Sequence, residues 1–315
     1  MDVEDEQIFE LLCQNGRRSN REIARELGIP ERQVAQRIRR MIADEDMRIL
    51  AVTDIFAAGF EFMLLIGVEV ALRSANEVAE DLAELPEVVS VMLTMGACDI
   101  EIVVIAENHG SLVGFVGELL SSVPGIRSFQ LSLCLQICKY GTGAGPLVSR
   151  PNPPMRLPAT GMADELDKAT VECLWADPRS TNQAIASALG VSESAVRQRI
   201  NAMRKRKLGR ITAMKNMRIE SGQMFASIGV EVAGRDIAAV AGDLASLPDT
   251  GFVATVLGRY HILVMGLLGS ARALNELLAR RIERIPGVQK VYTSQVLSFV
   301  KYDTRWTALM DEPSA

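Results

Sequence analysis

Apolar residues recur at three-and-four spacing at Ile8, Leu11 and Leu12, again at Ile23, Ala24 and Leu27, and again at Val34 and Ile38. That spacing lines one face of an α-helix and predicts three short helices. Gly28 closes the second, where glycine tolerates the left-handed conformation of a helix end. Arg48-Ile49-Leu50-Ala51-Val52 then reads as a short strand or wing. Beyond it the pattern predicts strands at roughly 61 to 71, 88 to 95, 99 to 106 and 126 to 138, and helices at roughly 76 to 84 and 111 to 122. Gly96 to Asp99 makes the hairpin turn between the middle strands. The order β-α-β-β-α-β is that of a ferredoxin-like module, an antiparallel sheet with helices on one face.

The whole pattern then occurs a second time. Leu27-Gly28-Ile29 matches Leu189-Gly190-Val191, 162 positions later. The same offset aligns Ile66-Gly67-Val68-Glu69-Val70 with Ile228-Gly229-Val230-Glu231-Val232, Leu85-Pro86 with Leu247-Pro248, and Lys139-Tyr140 with Lys301-Tyr302. Solenoid repeats run about 20 to 50 residues, so a unit this long is a duplicated module. The expected fold class is α+β, with two tandem copies of a winged helix-turn-helix plus a ferredoxin-like βαββαβ module. The expected domains are 1–54 and 162–215 for the heads and 55–140 and 216–302 for the modules. A Gly/Pro-rich linker is expected at 141–161 and a tail at 303–315.

Composition narrows this only a little. The 315 residues are 48% hydrophobic and 23% charged, as in a globular chain. No apolar run approaches the ~18 residues of a membrane span, and the acidic start Met1-Asp2-Val3-Glu4 is unlike a signal peptide, so a cytoplasmic location is expected. Five cysteines without framework spacing read as reduced thiols. The net charge of −5 hides a local contrast. Between Ser192 and Arg210 lie Arg197, Arg199, Arg204, Lys205, Arg206, Lys207 and Arg210 against one acid, Glu193. The matching stretch of copy one carries Glu31, Asp44, Glu45 and Asp46 among its arginines.

A helix-turn-helix lays its second helix in the DNA major groove, where arginine can grip guanine and glutamine or asparagine adenine. The expected DNA-binding residues are Arg32, Gln33, Gln36, Arg37 and Arg40 in copy one. In copy two they are Ser194, Arg197, Gln198, Arg199, Asn201, Arg204 and Lys205. The alternative is a solvated helix face, which the acids of copy one favour more than the cations of copy two.

The joint order of motifs resembles the Lrp/AsnC family of feast/famine transcriptional regulators. The carrying motifs are Asp5-x-x-Ile8, Ala-x-x-Leu-Gly at Ala24 and Ala186, Ser192 to Ile200, Gly209-Arg210-Ile211, Gly96 to Asp99, and Pro286-Gly287-Val288 with Thr293-Ser294. The resemblance implies that the second module is a RAM domain, pairing here within the chain, with further homo-oligomer formation. It also implies an effector, an amino acid or related small molecule, near the hairpins at Gly96, Asp99, Gly258, Arg259, Tyr260 and His261, with Thr293 and Ser294. His261 departs from the pattern, which has Asp there as at Asp99, and both residues can equally be turn residues that satisfy backbone amides.

The partners implied are double-stranded DNA and the effector, with no membrane, cofactor, metal or catalytic residue. Two alternatives stand beside this. Siroheme decarboxylases share the architecture, but the chain holds only His109 and His261. A ligand sensor with only one working DNA-binding head is the other.

Overall fold

The computed structural model describes residues 1–141, 144–145, 164–217, 222–234 and 236–308. The expected linker and tail therefore fall mostly outside the described residues. The first head contains α1 (Val3–Gln14), α2 (Asn20–Leu27), α3 (Glu31–Ala43) and the wing strand β1 (Met47–Asp54). The first module follows as β2 (Phe62–Val70), α4 (Ala75–Ala83), β3 (Val88–Met95), β4 (Ile100–Ala106), α5 (His109–Ser122) and β5 (Ile126–Tyr140). After a two-residue strand, β6 (Ala144–Gly145), the second head has α6 (Glu165–Ala176), α7 (Asn182–Leu189), α8 (Glu193–Lys205) and β7 (Gly209–Asn216). The second module contains β8 (Met224–Val232), α9 (Ile237–Ala245), β9 (Phe252–Leu257), β10 (Ile262–Leu268) and α10 (Ala271–Glu276). That last helix runs on through Leu277–Ile282 as π turns, and β11 (Val288–Tyr302) and β12 (Trp306–Thr307) complete the order.

The helix ends follow local chemistry. Ser19 accepts from the Glu22 amide while Glu22 returns a bond to the Ser19 amide, a reciprocal cap that starts α2. Gly28 and Gly190 stop their helices at φ 69° and 67°. Pro30 begins α3 without a side-chain cap, whereas Ser192 caps α8 through the Ala195 amide.

The two modules close one eight-stranded barrel, in the order β10-β8-β11-β3-β4-β2-β5-β9 with β9 returning to β10. Strand β5 makes this possible. Its first half pairs with β2 of its own module and its second half, from Leu133 to Tyr140, with β9 of the other. Strand β11 does the same between β8 and β3. Neither sheet keeps a free edge, which removes the aggregation hazard of unpaired strands. Strand β2 shows why its sequence is apolar at almost every position. Leu64, Ile66 and Val68 pack under the helices outside the barrel, and Met63 and Leu65 pack inside it.

The repeated motifs are the pairing contacts. Lys139 donates to the carbonyl of Leu247, and its counterpart Lys301 to the carbonyl of Leu85, so each lysine closes a helix end of the opposite module. Lys301 is only 1% exposed, and this bond helps an ammonium tolerate the interior. Tyr140 and Tyr302 meet near one end of the pseudo-two-fold axis, where burial raises both phenols above their ordinary range. Near the other end, Cys98 lies over Gly67 and Tyr260 over Gly229. A Cβ on Gly229 would sit 2.6 Å from the Tyr260 ring, so this glycine is required by close approach.

The heads are joined as firmly. β1 and β7 pair antiparallel over Met47 to Thr53 and Gly209 to Lys215, and each strand completes the opposite head's core. Ala213 of β7 packs with Ile8, Leu12 and Met41, and Ala51 of β1 packs with Leu174 and Val196. Arg17 donates to Asn182 at 2.9 Å, and its counterpart Arg179 donates to the carbonyl of Arg18 at 3.1 Å.

Candidate nucleic-acid interface and effector sites

The second helix of each helix-turn-helix carries the candidate reading residues. On α8, Ser194, Arg197, Gln198, Asn201, Arg204 and Lys205 are exposed, while Val196 and Met203 anchor the opposite face. Arg206 and Lys207 extend the exposed cationic end. On α3, Arg32, Gln36 and Arg40 are exposed, and Gln33 and Arg37 are half-buried.

Four of the expected reading residues are engaged within the protein. Arg37 bonds Asp2 at 2.7 Å and Asp5 at 2.8 Å, and also pairs with Glu4. Arg40 pairs with Asp5 as well, and Gln33 donates to Glu4 at 2.8 Å. Arg199, the counterpart of Arg37, pairs with Asp164 at 2.6 Å and Asp167 at 3.4 Å. These contacts tie the recognition helix to the first helix of its own head. The hydrogen bonds from Arg37 and from the Asp5 amide hold the Asp2 carboxyl down at about 2. Burial raises the Asp167 carboxyl, with Arg199 pulling the other way. Arg37 and Arg199 are thus counterparts in a lock between the recognition helix and the first helix of each head.

The two locks differ in what they consume. Copy two has Leu166, Ala195 and Ala202 where copy one has Glu4, Gln33 and Arg40. The helix ends differ further, with Ile42-Ala43-Asp44-Glu45 in the first head against Arg204-Lys205-Arg206-Lys207 in the second.

The expected effector residues separate into two related places. Gly96 lies against Thr293 and Ser294 of β11, and a Cβ there would be 2.5 Å from the Thr293 carbonyl oxygen. Gly258 lies instead against Leu131 and Ser132 of β5. Thr293 and Ser294 therefore serve the first hairpin and not the second. Asp99 accepts from the Val70 amide at 2.8 Å, and His261 accepts through Nδ1 from the equivalent Val232 amide at 2.9 Å. Both side chains close the end of the neighbouring strand, the turn role that the sequence left open.

The second hairpin has partners that sequence reasoning missed. The Arg259 guanidinium lies 4.4 Å from the Tyr292 ring centroid and bonds Gln130 at 2.9 Å. Tyr292 in turn bonds Glu231 at 2.7 Å. Glu101 was also missed. It sits beside Cys98, whose thiol is 3.7 Å away, and burial raises its carboxyl despite contacts from Ser227 and Ser294. Its counterpart is Leu263, so the contrast between the copies at that position was the available signal.

Two helix-turn-helix heads on one shared ribbon, with a barrel closed by two βαββαβ modules, define a one-chain form of a paired helix-turn-helix protein. The AsnC-type helix-turn-helix domain matches residues 1–42 and 164–204, and the Lrp/AsnC ligand binding domain matches 63–144 and 225–306. The chain belongs to the Lrp/AsnC family, with both domains in tandem. An uncharacterized HTH-type transcriptional regulator of Pyrococcus furiosus is 37% identical over 142 residues, 45% of this chain and 96% of its own length. The HTH-type transcriptional regulator FL11 of Pyrococcus horikoshii is 29% identical over 143 residues, 45% of this chain and 94% of its own. Among solved structures, the siroheme decarboxylase NirDL superposes with TM-score 0.69 at 18% identity, over 95% of this chain and 92% of that one. At that identity the likeness is one of fold. No helix among the described residues is long and apolar enough to cross a membrane.

Proposed function

We propose that the chain is a cytoplasmic, sequence-specific DNA-binding regulator in which the second head supplies most of the DNA affinity. The observation that carries this is the state of α8. Arg197, Gln198, Asn201, Arg204 and Lys205 are exposed and have no side-chain partner among the described residues. Arg197, Gln198 and Asn201 suit base edges, and Arg204 and Lys205 suit phosphates. The first head retains Arg32 and Gln36 for DNA and spends Arg37, Arg40 and Gln33 on its own lock. A small molecule, an amino acid or a relative of one, would act at the two hairpins. There Arg259 offers a cation for a carboxylate, and the Tyr260 and Tyr292 rings offer an apolar wall.

The test is selection of bound DNA from a random library. An asymmetric preferred site, with one strongly specified half about 5 base pairs long and one weakly specified half, supports the reading, since one recognition helix spans roughly half a turn of major groove. A perfect palindrome would contradict it, because two equal heads would then be reading equal half-sites.

The fold shared with NirDL favours a second reading, a tetrapyrrole enzyme. The siroheme decarboxylase NirDL was also solved with an iron-uroporphyrin III analogue, a ring that carries carboxylates. The barrel cavity of about 400 Å³ has Asp249 and Asp303 in its wall and, among the described residues, no lysine, arginine or histidine. His109 is exposed on α5, and His261 has its Nδ1 engaged. These residues fit such a ring poorly, and the regulator reading stands ahead. Titration with an iron uroporphyrin that left its absorbance spectrum unchanged would dismiss the enzyme.

A further inference from the structure

The barrel encloses a cavity of about 400 Å³ that the regulator reading does not use. It straddles the pseudo-two-fold axis, since Met63 and Phe225, Val103 and Met265, and Tyr140 and Tyr302 are counterparts that all line it. In a symmetric pair such a cavity would have equal halves. Here Val89 has Gly251 as its counterpart and Ser90 has Phe252, so the second module's side is opened at Gly251 and narrowed by the Phe252 ring. Its wall is predominantly apolar, and the volume falls in the usual range of small-molecule pockets.

The polar groups narrow the ligand further. Asp249 is paired with Arg281 at 2.9 Å, and Asp303 is held by Arg305 through bonds of 2.6 and 2.8 Å. Among the described residues the wall holds two carboxylates and no lysine, arginine or histidine, so an anion is disfavoured. Trp306 is 4% exposed, and its indole Nε1 has no hydrogen-bond partner. A buried unpaired N–H costs free energy until an acceptor reaches it.

We propose that this cavity is a ligand site, one per chain, for a neutral aromatic molecule carrying a carbonyl acceptor. It is distinct from the two hairpins and from the amino-acid class expected there. The apolar wall takes the ring system, and the Trp306 indole, whose Nε1 is shut off from the cavity, turns to donate to the carbonyl. Occupation is felt by the second head, because Trp306 packs edge-on against Trp175 of α6 at 5.4 Å. Trp175 also donates to Thr53 of the shared ribbon at 3.2 Å. The binding claim stands apart from the DNA reading, and its test uses no DNA.

The chain has two tryptophans, and these are the pair just described, so they report the site directly. The full chain is titrated with 2-naphthamide and, in parallel, with 2-naphthoate, by calorimetry and tryptophan emission. The expected result is one equivalent of amide per chain with a change in emission, and at least tenfold weaker binding of the carboxylate. Gly251→Leu, which adds a side chain at the open wall, abolishes amide binding while thermal unfolding stays cooperative. Trp306→Phe keeps an aromatic ring and removes the donor, weakening the amide about three- to tenfold by calorimetry, as loss of one hydrogen bond does. Trp306→Phe also carries the test if Gly251→Leu fails to fold. The proposal is overturned by no binding of the amide, by two equivalents per chain, by equal binding of the carboxylate, or by unchanged affinity in Trp306→Phe.

Discussion

In the first head Asp5 takes both Arg37 and Arg40, whereas in the second head the equivalent Asp167 takes Arg199 alone, because Ala202 stands where Arg40 does. The lock itself is common to both heads. What differs is how much of the recognition helix it consumes, and what charge is left at the helix end. A duplicated head can therefore keep its packing and lose most of its positive face without any change of fold. The asymmetry resides in side chains that contribute little to the core, which is where substitution costs least.

The comparison can be broken most forcefully at the lock. Asp5 is fully buried, and its replacement by alanine takes the carboxylate from Arg40 and leaves Arg37 with Asp2 and Glu4. The expected loss is about 1 to 3 kcal/mol, that of hydrogen bonds to a charged group whose arginines keep solvent or other carboxylates. Asp167→Ala, which leaves Arg199 with Asp164, should cost less. Denaturant unfolding of the two variants measures both, and equal losses would show that Arg40 adds nothing.

A transplant sharpens the charge contrast. Replacing Arg204, Lys205, Arg206 and Lys207 by the Ile-Ala-Asp-Glu of positions 42 to 45 should be tolerated, since Lys207 and Glu45 share φ values of 54° and 55°. Each phosphate that the protein no longer neutralises flattens the dependence of log K on log salt by about 0.9. The full exchange, which removes four cations, should therefore reduce the slope by up to roughly 3.6, read from DNA titrations at several salt concentrations. The reverse transplant into the first head should steepen it.

The smallest expected effect lies in the modules, at Glu101 against Leu263. Burial raises the Glu101 carboxyl, so the folded state holds its proton more tightly than the unfolded state. That contribution is complete below the ordinary carboxylate range and is lost as pH rises through the raised value. Glu101→Gln removes the ionised form. It should raise the thermal midpoint at neutral pH, and the gain should shrink towards zero as pH falls below about 4. A gain that is the same at all pH values would point to packing instead.

Much of this was legible in the chain. The apolar periodicity and the 162-residue offset between Gly28 and Gly190 carry the element order, both heads and both modules. The pairing of modules into one barrel follows from motifs whose role became clear only in three dimensions. Lys139 and Leu85 are retained in both copies because each lysine reaches the other module's helix end. The lock was not legible because Arg37 sits at an intermediate position on its helix. Helical spacing alone cannot distinguish an arginine turned to a groove from one turned to α1, and Asp5 lies 32 residues away. The retained pairs Asp5–Arg37 and Asp167–Arg199 were nonetheless visible once the copies were aligned. The cavity between the modules left no linear signal, since its wall is assembled from strands of both halves.

The central claim is that the second head carries most of the DNA affinity. It is tested most directly by titrating one selected DNA site with Arg197→Ala and, separately, with Arg32→Ala, the exposed arginine that the first head retains. Loss of a base-reading arginine costs about 1 to 3 kcal/mol. The expected loss is roughly fivefold to a hundredfold for Arg197→Ala and less than about threefold for Arg32→Ala, in the range of a peripheral contact. Equal losses, or a larger loss for Arg32→Ala, would contradict it.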